Sequence, residues 1–313
     1  MYTDFMSMNM KKIAITTSTF GEYEEKPMIV LKEKGYKVEI NPYGRKLKEK
    51  EVVTFCKDAV GIIAGTETLS DVSMSSMGNL KVISRCGGGI DNVDLGAADR
   101  LGIKVFNTPD APVIAVAELT IGLMLDLLRK VCWMDRETHI GQWQKRMGSL
   151  LQGKKVGIKG FGRIGKKVAE LLWPFSCEIA YTDPFVDDGL LGLRRLSLKD
   201  LLGWADIVTL HVSVHDKLIG VNEFQQMKKG AWLINTSRGG VVDESALYNY
   251  LKNGHLSGAA LDVFEEEPYT GPLKELDNVI LTPHIGSYAR ESRIEMERKA
   301  VENLLKGLRD CGL

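Results

Sequence analysis

Short apolar runs alternate with amphipathic stretches along most of this chain. In the first hundred residues Ile13–Thr16, Lys37–Ile40, Val60–Ala64, Lys81–Ser84 and Lys104–Phe106 are apolar runs of strand length. Between them Lys26–Lys34, Glu49–Cys56 and Val93–Leu101 repeat apolar positions at helical spacing. Repeated strand–helix alternation predicts a parallel sheet covered on both faces. Amphipathic helices are then predicted over Val113–Arg129 and Trp133–Trp143, and neither fits a compact β-α-β unit. An apolar helical arm of this size packs against another subunit or is buried internally, and the pattern fits both. From Lys154 the alternation restarts. Strands are predicted at Val156–Lys159, Glu178–Tyr181, Ile207–Leu210, Ala231–Asn235, Gly258–Val263 and Val279–Thr282. Helices fall at Arg163–Leu172, Leu198–Leu202, Asn222–Met227 and Glu244–Asn253. That is a six-stranded doubly wound pattern. A last helix, Ser287–Leu308, has no following strand and is expected to cross back to the first domain.

Composition narrows the class. A length of 313 residues suggests two domains, and 44% apolar residues suit an ordinary globular protein. The 41 basic and 41 acidic residues balance, so no long-range field invites nucleic acid or an acidic membrane. The longest apolar run, Leu119–Leu128, is broken by Asp126 and is too short to span a bilayer. The start, Met1–Met6, lacks the pattern of a secretory signal. Cys56, Cys86, Cys132, Cys177 and Cys311 are odd in number and irregular in spacing, which fits a reducing cytoplasm with inert thiols. Cys86 borders a glycine cluster but has no evident partner base. No metal site is expected.

The segment Lys154–Leu172 carries the sharpest chemical signal. It reads as strand, glycine turn and helix opening, with Gly160, Gly162 and Gly165 in the G-x-G-x-x-G spacing. The first glycine allows the tight turn, the second lets backbone approach a pyrophosphate, and the third lets the helix pack close to the sheet. The helix opening near Arg163 and Ile164 offers N–H groups and a positive dipole end to phosphates. Asp183 ends the next strand, where it would accept from adenosine ribose hydroxyls. Its charge would repel a 2′-phosphate, and the following Pro184 and Phe185 supply no arginine to bind one. NAD is therefore favoured over NADP.

Three further strand ends carry candidate chemistry: Asn235–Glu244, Leu261–Pro268 and Leu281–Gly286. Ligands bind at the carboxyl ends of strands in open parallel sheets, which places Arg238, Glu267 and His284 where a nicotinamide would lie. Oxidising a hydroxy acid removes a hydride and a proton. The proton needs a base titrating near neutrality, which suits histidine. A neighbouring carboxylate raises that histidine's pKa. An anionic substrate suits the planar, bidentate arginine. Of the five histidines, only His284 follows a strand and Thr-Pro and precedes a glycine.

With these motifs the chain resembles the D-isomer-specific 2-hydroxyacid dehydrogenases, near the phosphoglycerate dehydrogenase branch, over nearly its whole length. The resemblance implies two Rossmann-like doubly wound α/β domains with a cleft between them. Residues 1–106 plus 287–313 would form a discontinuous substrate-binding (catalytic) domain. Residues 107–286 would form the NAD-binding domain, including a dimerisation arm near 113–143. It implies NAD-dependent oxidoreductase activity on the CH–OH group of a small 2-hydroxy acid, with 3-phosphoglycerate, hydroxypyruvate and glyoxylate among the family's substrates. The partners implied are that substrate and a second copy of the chain, with no nucleic acid and no membrane. Arg238 would clamp substrate, Glu267 would pair with the histidine, and His284 would be the general acid/base. Phe161, Pro184, His211, Val212, Ser213, Thr236, Ser237, Asp262 and Gly286 would join Gly160–Gly165 and Asp183 around NAD, with Asp262 at the nicotinamide carboxamide. Backbone N–H groups near Gly88 and Gly89 would receive the substrate carboxylate, with Thr66 close by.

The chain departs from the family pattern at four places. Pro112-Val113 replaces a polar pair, and the loop from His211 is short, with Ser213 where proline is common. Gly65-Thr66 replaces an arginine of some branches, which weakens the case for a phosphorylated substrate. Lys159 stands where an apolar residue is expected, and either reaches the pyrophosphate or lies open to solvent. His211 is read as a wall of the adenine site rather than a catalyst. Two other classes fit the same scaffold: an NAD(H)-binding sensor resembling corepressors, and a different NAD-scaffold enzyme.

Overall fold

The computed structural model describes residues 10–186 and 189–313; the amino-terminal residues read above for a signal lie outside the described residues. The chain divides into two compact units, one running through Pro112 and completed by Ser287–Leu313, the other Val113–Gly286. The first unit extends past residue 106 because the next segment is tied to it. Thr108 N donates to Gly87 O, Asn107 Nδ2 donates to Gly88 O, and Asn303 Nδ2 donates to Asn107 O.

In the first unit, strands β1 (Lys12–Ile15), β2 (Lys37–Ile40), β3 (Ala59–Ala64), β4 (Val82–Arg85) and β5 (Lys104–Phe106) form a parallel sheet in the order β2-β1-β3-β4-β5. Helices α1 (Lys26–Glu33), α2 (Glu49–Cys56), α3 (Asp71–Ser75) and α4 (Leu95–Arg100) connect them. Ile13, Ile15, Ile62 and Ile63 are fully buried, the continuous apolar run of a strand covered on both faces. The unexpected helix α3 has only five residues, too few to carry a helical period; Ser70 caps it by accepting from Ser73 N.

In the second unit, α5 (Val113–Arg129) and α6 (Val131–His139) precede β6 (Lys155–Lys159), α7 (Arg163–Leu172), β7 (Glu178–Thr182), β8 (Arg194–Arg195), α8 (Leu198–Trp204), β9 (Ile207–Leu210), α9 (Val221–Gln226), β10 (Trp232–Asn235), α10 (Glu244–Lys252), β11 (Gly258–Leu261) and β12 (Val279–Leu281). The final helix, α11 (Arg290–Asp310), belongs to the first unit, where Met296, Ala300, Leu304 and Leu308 pack beside Ile13, Ile63 and Val82. The second sheet is parallel with order β12-β11-β10-β9-β6-β7-β8. Its seventh strand, β8, departs from the six expected, because two polar arginines carry no apolar alternation.

The strand order reverses between β6 and β9, the crevice where doubly wound sheets bind ligands. Helix α5 is an internal helix: Val116, Ile121, Met124 and Leu128 are buried, and the last three share a core with Val168 and Leu172 of α7. Helix α6 stops at His139 rather than Trp143, because Gly141 turns the chain at φ +79°. Trp143 is consequently exposed. No described helix is long and apolar enough to cross a membrane.

Candidate active site

The glycine turn joins β6 to α7. Gly160 sits at φ +91°, and a Cβ there would strike His211 O. A Cβ on Gly165 would strike Gly160 O. Gly162 is different, since a Cβ there would meet no protein atom within 4 Å. The space over Gly162 is thus left open by the protein itself. Four other helices, α3, α4, α8 and α10, are capped by a Ser or Asp side chain that accepts a first-turn N–H. Helix α7 has Gly162 as its N-cap, with no side-chain cap and no acid in its first turn. Its leading amides are left for another acceptor. This arrangement fits the pyrophosphate of a dinucleotide.

Asp183 is bound into the same turn. Its Oδ2 accepts from Phe161 N at 2.7 Å and its Oδ1 from Phe185 N at 2.8 Å. The Phe161 ring is fully buried and stacks on Tyr181, with centroids 4.0 Å apart. Such a stack contributes about 0.5–1.5 kcal/mol beyond its area. Phe161 therefore supports the turn from the core, its ring stacked and its N–H given to Asp183.

The other strand ends lie in a row. Neighbouring strands are about 4.8 Å apart, so the end of β10 lies roughly 10 Å from that of β6, and that of β12 roughly 19 Å. Arg238 follows β10, and Gly239 beside it packs so tightly on Phe264 O that no side chain would fit. That approach brings the arginine loop against the loop carrying Glu267. His284 Nδ1 lies 2.9 Å from Glu267 Oε2 and 3.1 Å from Oε1. The hydrogen bond that Glu267 accepts raises the His284 pKa above the ordinary histidine value, while burial and the nearby Arg238 charge oppose the rise.

His284 adopts φ +55°, a left-handed conformation uncommon outside glycine. Asp262, buried at the end of β11, holds that turn. Its Oδ1 accepts from Ile285 N (2.8 Å) and Thr282 Oγ1 (2.6 Å), and its Oδ2 accepts from Gly286 N (2.8 Å). Burial raises its pKa, and these three donors pull it back. The Gly286 N–H is thereby engaged within the protein.

The remaining candidates divide into walls and supports. Thr236 and Ser237 are buried; Thr236 Oγ1 meets Thr120 Oγ1 at 2.9 Å, and Ser237 N and Oγ both donate to Asn235 Oδ1. His211 shares a hydrogen bond between Nε2 and Thr209 Oγ1, while its buried Nδ1 has no partner among the described residues. Burial pushes its pKa down to about 3, so the ring is neutral near pH 7. Val212 lies against Gly160, Ser213 is exposed and Pro184 is exposed. In the first unit, Thr66 is exposed after β3, and the N–H groups of Gly88 and Gly89 meet no acceptor among the described residues. Sequence reasoning missed the support residues Thr120, Asn235 and Thr282. It also missed Arg195, which reaches the Asp183 pocket from β8.

Comparison with known proteins gives a consistent picture. A model of the NAD binding domain of D-isomer specific 2-hydroxyacid dehydrogenases matches residues 121–286, slightly more than half the chain. A D-3-phosphoglycerate dehydrogenase of Methanocaldococcus jannaschii is 40% identical over 84% of this chain and 52% of its own length. One of Archaeoglobus fulgidus is 35% identical over 91% of this chain and 56% of its own. The chain thus spans about half the length of the curated relatives it matches. A crystal structure of a protein from Thermus thermophilus superposes with a TM-score of 0.90 at 36% identity, covering 96% of this chain and 97% of that one.

Proposed function

This chain belongs to the D-isomer specific 2-hydroxyacid dehydrogenase family, and from that premise we propose that it transfers a hydride between NAD(H) and a small 2-hydroxy or 2-keto acid. The observation that carries the reading is the His284–Glu267 hydrogen bond at 2.9 Å, beside Arg238 and in line with the glycine turn. Gly160, Gly162, Arg163, Ile164, Gly165 and Asp183 would hold the dinucleotide, with Pro184, His211, Val212 and Ser213 around its adenosine half. Bound there, the cofactor's nicotinamide supplies the hydride donor or acceptor. Glu267 fixes the His284 ring through Nδ1, which leaves Nε2 to exchange a proton with the substrate hydroxyl or carbonyl oxygen. Arg238 would clamp the substrate carboxylate; Thr66 and the amides of Gly88 and Gly89, in the first unit, are substrate-contact candidates on the family resemblance alone.

Mixing the protein with NADH and a panel of 2-keto acids, glyoxylate, hydroxypyruvate and 3-phosphohydroxypyruvate included, tests this by loss of NADH absorbance. Turnover on at least one acid is expected. Clear NADH binding with no turnover on any would favour a sensor instead.

The pair also predicts a pH response. Keto-acid reduction needs protonated His284, so it holds below the His284 pKa and falls as pH rises through it. Because Glu267 raises that pKa, Glu267→Gln should move the falling limb to lower pH. The rising limb of hydroxy-acid oxidation should move the same way. Rate–pH profiles that coincide for variant and wild type would remove Glu267 from this role.

We also infer a homodimer and a cytoplasmic setting. Ile140, Trp143, Met147 and Leu150 are 72%, 83%, 89% and 65% exposed within one short segment, more apolar surface than a monomer commonly leaves to water. Light scattering should give twice the chain mass, and Trp143→Glu should shift it toward one. All five cysteines are free, and burial pushes the Cys56 and Cys86 thiols up to about 12 and 11, which suits a reducing compartment.

A further inference from the structure

The segment Asn235–Glu244 joins β10 to α10, carrying Arg238 in its middle and two acids at its end. Asp243 is the N-cap of α10. Its Oδ1 accepts from Ala246 N at 2.9 Å and its Oδ2 pairs with Lys217 at 3.0 Å. Glu244, the first helical residue, reaches outside its own helix. Its Oε1 accepts from Glu265 N at 2.8 Å, a residue 21 positions along the chain.

Glu265 belongs to the loop that carries Glu267. The segment before α10 holds that loop at two successive residues. Gly239 packs so closely that a Cβ there would lie 1.8 Å from Phe264 O, and Glu244 takes the N–H of Glu265. Within the loop, Phe264 N donates to Glu267 Oε1 at 3.2 Å. The same carboxylate lies 2.9 Å from His284 Nδ1 through Oε2. Displacing the backbone at Glu265 therefore displaces the Phe264 N–H that steadies Glu267, and with it the oxygens that meet the imidazole.

An acid at this place is not free of strain. Glu244 is partly buried and near Glu265, Asp243 and Glu266. Burial raises its pKa, those like charges add to the rise, and the Glu265 N–H opposes it. Supporting the helix would need only a negative charge in the first turn. The bond to Glu265 needs an acceptor of this reach.

Taking the reading above in which His284 is the general acid/base, we propose that Glu244 is a positioning residue for it: by accepting the Glu265 N–H it holds the Glu267 carboxylate against His284 Nδ1. Charge and reach can be separated by substitution. Glu244→Gln keeps an acceptor at the same reach and loses the charge. Glu244→Asp keeps the charge and is one methylene shorter.

The His284 ring reports the effect without any reaction. Histidine ring resonances are followed against pH by NMR, with no dinucleotide or keto acid present. Of the five histidines, His284 is the one whose signal is lost in His284→Gln. Glu267 raises the His284 pKa, so a carboxylate that has drifted raises it less. Glu244→Gln should titrate as the wild type does, whereas Glu244→Asp and Glu244→Ala should titrate at lower pH. In a Glu267→Gln background, Glu244→Asp should shift nothing further. In turnover, the Asp and Ala variants should lose about tenfold to a hundredfold in kcat, as for a catalytic group misplaced by up to about 1 Å. Their NADH affinity should be unchanged, and the Gln variant should keep its kcat. A His284 titration that stays in place in the Asp and Ala variants would overturn the proposal. So would equal shifts in the Gln and Ala variants, which would mean that the Glu244 charge acts through space. If the Asp variant shifts but the wild type reduces no keto acid, the positioning role stands and only the dehydrogenase reading fails.

Discussion

Replacing His284 by alanine is expected to lower turnover by about 10²–10⁴-fold, the usual contribution of a positioned general acid or base, with NADH affinity nearly unchanged. The separation follows from where the two functions lie. The proposed dinucleotide contacts, the backbone amides at the start of α7, the space over Gly162 and Asp183, all lie around β6 and β7. His284 follows β12, at the other end of the strand row. Its ring touches Glu267, so the substitution removes the proton carrier and leaves the glycine turn intact. Steady-state rates and NADH titration measure the two effects independently. The double variant His284→Ala/Glu267→Gln should be scarcely slower than His284→Ala alone, since the glutamate acts through the ring. Equal turnover in His284→Ala and wild type would exclude His284 from the chemistry.

What the sequence made legible divides along physical lines. Strands buried on both faces were legible, because apolar runs such as Ile13–Ile15 or Ile207–Leu210 must be withdrawn from water. The catalytic candidates were legible because each follows an apolar strand and is a residue type with a specific chemical use. Elements set by backbone geometry were not. Strand β8 is two arginines joined to β7 by ladder bonds, and α3 is one capped turn. Neither has an apolar period. Support residues were hidden for another reason: Thr120 and Thr236 are 116 positions apart and meet only in the fold. The same holds for the charge around Asp183. Reading along the chain finds proline and phenylalanine after it, whereas the sheet places Lys159 on one side and Arg195 on the other.

Asp262→Ala should damage the enzyme nearly as much as loss of His284, by a different route. The carboxylate touches no reacting group in this structure, but it holds Thr282, Ile285 and Gly286 together around the left-handed His284. Removing it leaves buried donors unsatisfied, at about 1–3 kcal/mol each, and frees the turn that aims the imidazole. A displacement of about 1 Å at a catalytic group costs on the order of 10²-fold in rate. Asp262→Asn should not rescue, because one carboxamide edge is a donor and would face another donor at Ile285 or Gly286. The variant also loses a charge that raises the His284 pKa, so the falling limb of reduction should move to lower pH as the rate drops. This pH shift distinguishes two roles. If Asp262 acted only by binding the cofactor's carboxamide, the KM for NADH would rise while the pH profile of the saturated enzyme stayed in place. If it positions the histidine loop, kcat falls, thermal stability falls with it, and the profile moves.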